Sequence, residues 1–244
     1  MPTERLTIAT TPKGNTVRFW TRPHVNDEAL VVGILGGDEY RLAELPDDME
    51  GVALDIGAHV GTVGIALAVD HPRLRVVMVE PIPDNAELCR QSAELNGVSD
   101  RVTVIEAMAG YGQGTATCRW DYRSLEGFAD PGFVTQNAYV GNIWRLTDDE
   151  KVDSEVAEVP IVTAWDIAAD HLLSDPSGAW AFVKIDCEGC EWEFLRGATP
   201  GLMPLIVGEA HDAAPADIAR VLPNHVIEVL DDYGGSGIFR AVAK

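Results

Sequence analysis

Basic side chains are scarce. Lys and Arg total 18, only 4 of them Lys, against 39 Asp and Glu, so the 244-residue chain carries a formal net charge of −21. Binding to a phosphate backbone or to anionic lipid requires clustered cations. Here Arg18/Arg22 and Arg73/Arg75 are isolated pairs, so nucleic-acid and membrane-surface partners are excluded. The four cysteines (Cys89, Cys118, Cys187, Cys190) are too few for a disulfide-built scaffold of this size. The first residues, MPTERLTIATTPKG, lack the apolar stretch of a signal peptide. No apolar run approaches the ~20 residues of a membrane span. A reducing cytosol is the expected compartment. The preference for Arg over Lys beside many Ala, Asp and Gly hints at a GC-rich bacterial genome. Repeats and low-complexity tracts are also lacking. What the chain does have is a 46% hydrophobic fraction, ample for one large core.

Residues 1–50 read as an extension of short strands: Leu6–Ala9, Val17–Trp20 and Tyr40–Leu42, with turns at 12–15 and at Gly36-Gly37-Asp38. From residue 51 the texture changes to alternating strands and helices over 51–244. Strands are expected at Val52–Ile56, Leu74–Glu80, Val102–Ile105, Ala181–Asp186 and Leu205–Glu209. Helices are expected after Gly61, over Pro83–Asn96 with Gly97 closing it, around Ala164–Leu173, over Glu191–Arg196, and near Ala216–Leu222. Apolar strands alternating with helices imply a mostly parallel α/β sheet. Val226–Leu230 and Gly237–Val242, joined by Asp231–Gly235, suit a C-terminal antiparallel hairpin. Residues 111–160 interrupt the alternation and read as an inserted lid.

Leu54-Asp55-Ile56-Gly57-Ala58-His59-Val60-Gly61-Thr62 places two glycines, four apart, at a strand-to-helix turn. Gly57 permits a tight turn against a ligand and Gly61 permits close helix–sheet packing. The middle glycine that admits a pyrophosphate is missing, so a nucleoside without a diphosphate fits better. Glu80 ends the next strand, where a carboxylate accepts hydrogen bonds from both ribose hydroxyls. Asp55, at a strand's carboxyl end, is placed to face the ammonium of an amino-acid moiety. Together these residues suit S-adenosylmethionine. Either glycine or acid taken alone is equally an ordinary turn or a solvated strand end.

The stretch 52–61 resembles the first motif of class I S-adenosylmethionine-dependent methyltransferases. Val183-Lys184-Ile185-Asp186-Cys187-Glu188-Gly189-Cys190-Glu191-Trp192-Glu193-Phe194-Leu195-Arg196-Gly197-Ala198 resembles the K-I-D-x-E-G-x-E-x-x-x-L-x-G-A signature of FkbM-type methyltransferases. Val162–Ile167 and Val207–His211 also fall where that family has similar stretches, so the resemblance spans roughly 38–212. It implies a Rossmann-like fold and methyl transfer, commonly to hydroxyls of sugars or natural products. His59 stands where the family carries Asn. Cys187 and Cys190 occupy variable signature positions and create a C-x-x-C. Redox pairing or zinc binding with His211 is the minor alternative there, and buried small side chains the default.

For methyl transfer the expected cofactor site comprises Asp55, Gly57, His59, Gly61, Thr62, Glu80, Pro81, Glu106, Ala107 and Asp186, with Glu106 accepting from the adenine amine and Met108 against the ring. By family analogy Asp186 lies nearest the methyl group. His211 is the preferred general base because its ordinary pKa lies near operating pH, and Glu209 orients it or binds the acceptor. A less favoured variant holds Mg²⁺ on Asp186, Glu209 and Asp212. The aromatics of 111–150 are the expected acceptor pocket. The acceptor is a small molecule, neutral or cationic given the acidic mouth, and a homodimer is compatible with the sequence. Three alternatives stand beside O-methylation: N-methylation of a peptide side-chain amide, a non-catalytic nucleoside sensor, and a nicotinamide-dependent oxidoreductase.

Overall fold

The computed structural model describes residues 4–23, 25–120, 139–140, 155–173, 175 and 178–244. Two strands, β1 (Arg5–Thr10) and β2 (Thr16–Thr21), open the chain as an antiparallel hairpin. Helix α1 (Asp27–Gly37) follows. The alternating core then runs β3 (Glu50–Ile56), α2 (Thr62–Asp70), β4 (Arg73–Val79), α3 (Pro83–Leu95) and β5 (Val102–Ile105). Four strands come next: β6 (Met108–Ala109), β7 (Thr115–Trp120), β8 (Tyr139–Val140) and β9 (Glu155–Val162). The chain closes with α4 (Ala164–His171), β10 (Trp180–Ile185), α5 (Glu191–Gly197), β11 (Leu205–Ala210), β12 (His225–Val229) and β13 (Gly237–Ala243).

The central seven-stranded sheet has the order β12-β13-β11-β10-β3-β4-β5. Strands β11, β10, β3, β4 and β5 are mutually parallel, while β13 runs antiparallel between β11 and β12. Strands covered on both faces by helices need apolar side chains on both faces. Accordingly Val52, Ala53, Leu54 and Ile56 are buried without alternation, as are Val76–Val79. One core cluster lies on the α2/α3 side of the sheet and a second on the α4/α5 side. Strand order reverses between β3 and β10, a topological switch point that opens a crevice beyond the carboxyl ends of the strands.

Two sequence expectations fail. Tyr40–Leu42 is not a strand: Leu42–Glu44 forms a 3₁₀ turn, and the preceding segment holds the unanticipated helix α1. Its glycines, Gly33, Gly36 and Gly37, masked the helical spacing. It ends at Asp38, in the left-handed region (φ 49°), whose N–H reaches back to the Ile34 and Leu35 carbonyls, a place glycine usually takes. The expected helix near 216–222 is instead a 3₁₀ turn over Pro215–Arg220. In the interrupting segment, β7 pairs antiparallel with β8 and β9, and β9 pairs parallel with β6. Most of the expected acceptor pocket, residues 121–138 and 141–150, and the acidic run 148–153 lie outside the described residues.

Candidate active site

At the switch point lies a cavity of about 250 Å³. Its floor is the turn after β3. Gly57 has φ +73°, and a Cβ there would sit 1.8 Å from the Asp186 carbonyl oxygen, so only glycine lets the β3 and β10 ends approach. The turn is pinned from below. Lys184, buried on β10, donates to the Gly57 carbonyl at 2.6 Å and the Ile56 carbonyl at 3.2 Å, and pairs with Asp55 Oδ1 at 3.2 Å. The other Asp55 oxygen accepts the Gly64 N–H at 2.8 Å. Burial would lower the Lys184 pKa, but Asp55 and Asp186 outweigh it and hold the ammonium charged. Asp55 is fully buried and does not line the cavity. The expectation that it faces a ligand's ammonium is therefore corrected: the ammonium it meets is the protein's own Lys184.

On the donor side, Glu80 is buried and lines the cavity. Its carboxylate accepts the His59 N–H at 2.8 Å, the Ile82 N–H at 3.0 Å and the Asn85 side-chain amide at 3.2 Å. Burial pushes its pKa up, against the lowering from those donors. His59, Thr62, Pro81 and Ala107 line the cavity, with Met108 beside them. The His59 imidazole points toward the start of α1, its buried Nε2 3.2 Å from Asp27 Oδ1. Gly61 lies behind the wall as the left-handed N-cap of α2 (φ +89°). Glu106 does not line the cavity: Arg90 draws it away, with Nη2 3.5 Å from its carboxylate. The expected contact of Glu106 with adenine is corrected on that ground.

Two buried polar atoms on this wall, Thr62 Oγ1 and Asn85 Oδ1, have no partner among the described residues. Buried polar groups left unpaired are costly. A ligand with hydroxyl or amine groups would satisfy both, so the residues present fit the nucleoside end of S-adenosylmethionine.

The opposite end gathers acids from the β10 and β11 ends. Asp186, Glu188 and Glu209 line the cavity, joined by Glu39 from the segment after α1. His211 sits among them. Its Nδ1 lies 2.8 Å from Glu191 Oε1, and its Nε2 lies 3.6 Å from Glu188, 3.7 Å from Glu209 and 4.0 Å from Asp186. Burial alone would lower its pKa, but the Glu191 hydrogen bond and the surrounding carboxylates raise it to about 10. At neutral pH His211 is therefore an imidazolium, which corrects its assignment as general base. The acids respond in the opposite sense. Burial, then Asp186 and Glu209, push Glu39 up to about 7. Burial, together with neighbouring acids and against His211, pushes Glu188 to about 7 and raises Glu209.

Sequence reasoning missed Glu39, Tyr40 and Glu191. Tyr40, fully buried, donates its hydroxyl to Asp186 Oδ2 at 2.8 Å. Nothing in the spacing of residues 39–41 signals that contact, because it spans most of the chain. Glu191 is buried and accepts the N–H groups of Cys187 and Gly189 besides binding His211. The signature spacing alone could have flagged it.

Among the described residues, Asp186, Glu191 and His211 bring ligand-type atoms within 4.8 Å of one another. Glu191 spends both oxygens on protein donors, which leaves little for a cation. Asp212 is exposed and outside that group, so the Mg²⁺ set of Asp186, Glu209 and Asp212 is not assembled. Cys190 Sγ donates to the Cys187 carbonyl at 3.1 Å, and burial pushes the Cys187 thiol well above its usual pKa, the reverse of an activated thiolate.

Residues 55–235 match the family "Methyltransferase FkbM domain". The chain is 33% identical over 113 residues to a release factor glutamine methyltransferase of Aquifex aeolicus, covering 46% of this chain and 36% of that protein. It is 32% identical over 105 residues to a ribosomal RNA small subunit methyltransferase G of Rhizorhabdus wittichii, covering 43% and 41%. The chain thus spans well under two thirds of the length of either relative. Among solved structures it is similar to a precorrin-6y C5,15-methyltransferase from Geobacter metallireducens, with 13% identity, 92% of this chain and 100% of that one covered, and a TM-score of 0.46. The family match takes in the glycine turn, Lys184 and the acids Asp186, Glu188, Glu191 and Glu209 but leaves out Glu39 and Tyr40. By that match over most of its length, the chain belongs to the FkbM methyltransferase family of S-adenosylmethionine-dependent enzymes.

Proposed function

We propose that the protein methylates a hydroxyl oxygen of a small natural product or saccharide, with the Thr62/Glu80/Asn85 wall holding the donor and the Asp186/Glu209 end facing the acceptor. The observation that carries this reading is the carboxylate cluster with raised pKa values at one end of a single cavity whose other end carries unpaired nucleoside-type partners. S-adenosylmethionine, when bound, supplies an electrophilic sulfonium methyl and leaves as the neutral thioether. A hydroxyl must lose its proton as its oxygen forms the new O–CH₃ bond, and a nearby carboxylate with a pKa raised toward neutrality suits that task. Glu209 is the proton acceptor in this scheme. Asp186, held by Tyr40, orients the hydroxyl. The His211 imidazolium opposes the burial and the Asp186 charge that raise the Glu209 pKa. Alignment within the cavity contributes the remainder.

Labelled methyl transfer from S-adenosylmethionine to a panel of methyl glycosides and simple phenols, read by mass spectrometry, tests the reading. It predicts O-methylated product from at least one panel member. Product only from an amide-bearing peptide would favour the nitrogen acceptor instead.

A further inference from the structure

A second concavity of about 300 Å³ lies between the end of α1 and the β12–β13 turn. Glu39 lines both it and the donor cavity, so the two share that residue as a common wall. The groove offers two kinds of surface. Tyr233, 56% exposed, stands with Leu230 and Ile238 as an apolar, aromatic side. The groove is also lined by the carboxylates of Glu39 and Asp231 and by Arg41, for which no ion pair is found among the described residues. Burial, then Asp231 and Glu39, push the Tyr233 phenol up to about 12, so it remains a hydrogen-bond donor.

We propose that this groove is the acceptor-binding site, that it takes a neutral, hydroxyl-bearing ring molecule laid against Tyr233, and that the reacting hydroxyl passes Glu39 to reach Asp186 and Glu209. The aromatic side receives the ring face, while Glu39, Asp231 and Arg41 accept from and donate to its hydroxyls. Two facing carboxylates disfavour an anionic ring. Acceptor recognition is thereby shared between residues 33–41, which precede the family-matching stretch 55–235, and Leu230, Asp231 and Tyr233 within it. The inference rests on the methyl-transfer reading above.

The test compares wild type with Tyr233→Ala and Glu39→Gln. S-adenosylhomocysteine affinity is measured by calorimetry, and steady-state transfer to any methyl glycoside or phenol that wild type methylates gives KM and kcat. Tyr233→Ala is expected to hold S-adenosylhomocysteine affinity within about twofold, and both variants are expected to raise acceptor KM about tenfold or more, the scale of one lost ring contact or hydrogen bond. Unchanged acceptor KM in both variants would overturn the groove assignment. Wild type that binds S-adenosylhomocysteine yet neither binds nor methylates any panel member would overturn the ligand class. Absence of S-adenosylhomocysteine binding by wild type would sink the methyl-transfer reading itself, a separate failure.

Discussion

At the residue scale the histidine on which a base mechanism would naturally rest is the group least able to serve as one. His211 donates to Glu191 and faces three further carboxylates, so its proton is held up to a pKa of about 10. Its effect on catalysis runs through Glu188 and Glu209, whose pKa values it lowers. His211→Gln should therefore move the acidic limb of the kcat profile to higher pH, by about one unit, and an unmoved limb would remove His211 from the mechanism. Gly57→Ala is expected to cost about 3 kcal/mol or more in urea denaturation, since the added Cβ meets backbone rather than a flexible side chain. The signature made the grouping of Asp186, Glu188, Glu209 and His211 legible in the sequence. Their protonation states were not, because those depend on Glu191 and on burial. Asp55 misled for a related reason: its partner, Lys184, sits on a strand far along the chain but adjacent in the sheet.

At the scale of elements, the sheet was readable because its strands are continuously apolar and its turns are marked by glycine. The N-terminal segment was less so. Hairpin β1–β2 docks on α3, with the Trp20 N–H on Ser92 and Arg18 exchanging backbone hydrogen bonds with Asn96. Asp27 then ties three elements together. It opens α1, binds Arg22 just after β2 through both oxygens, and meets His59 in the donor turn. Burial would raise its pKa, but His59 and Arg22 hold it well below the usual carboxylate range. Asp27→Asn removes the buried carboxylate charge that Arg22 and His59 share and should destabilise by about 3 kcal/mol, with weaker S-adenosylhomocysteine binding through His59. Wild-type stability in urea would show that α1 is held by packing alone. No local pattern announces such a junction.

At the scale of the whole molecule, the acid surplus, from which the sequence alone argues against nucleic-acid and lipid partners, is concentrated in part around one cavity. Glu39 has a folded pKa near 7, above its ordinary 4.5, so its contribution to stability is fully present below pH 4.5 and is lost as pH rises through about 7. His211 acts in the same direction: its contribution is full below 6.5 and is lost as pH rises through about 10. Stability in urea should therefore fall between pH 5.5 and 8.5. Glu39→Gln should flatten that slope by on the order of 1 kcal/mol, and an identical slope in the variant would contradict the burial argument. Among the described residues no helix is long and apolar enough to cross a membrane. The central claim is that the cavity at the switch point holds a methyl donor's nucleoside and amino-acid halves. Calorimetric titration of the wild-type protein with S-adenosylhomocysteine and with NAD tests it most directly. Saturable heat from S-adenosylhomocysteine and none from NAD is the predicted result, and heat from NAD alone would contradict it.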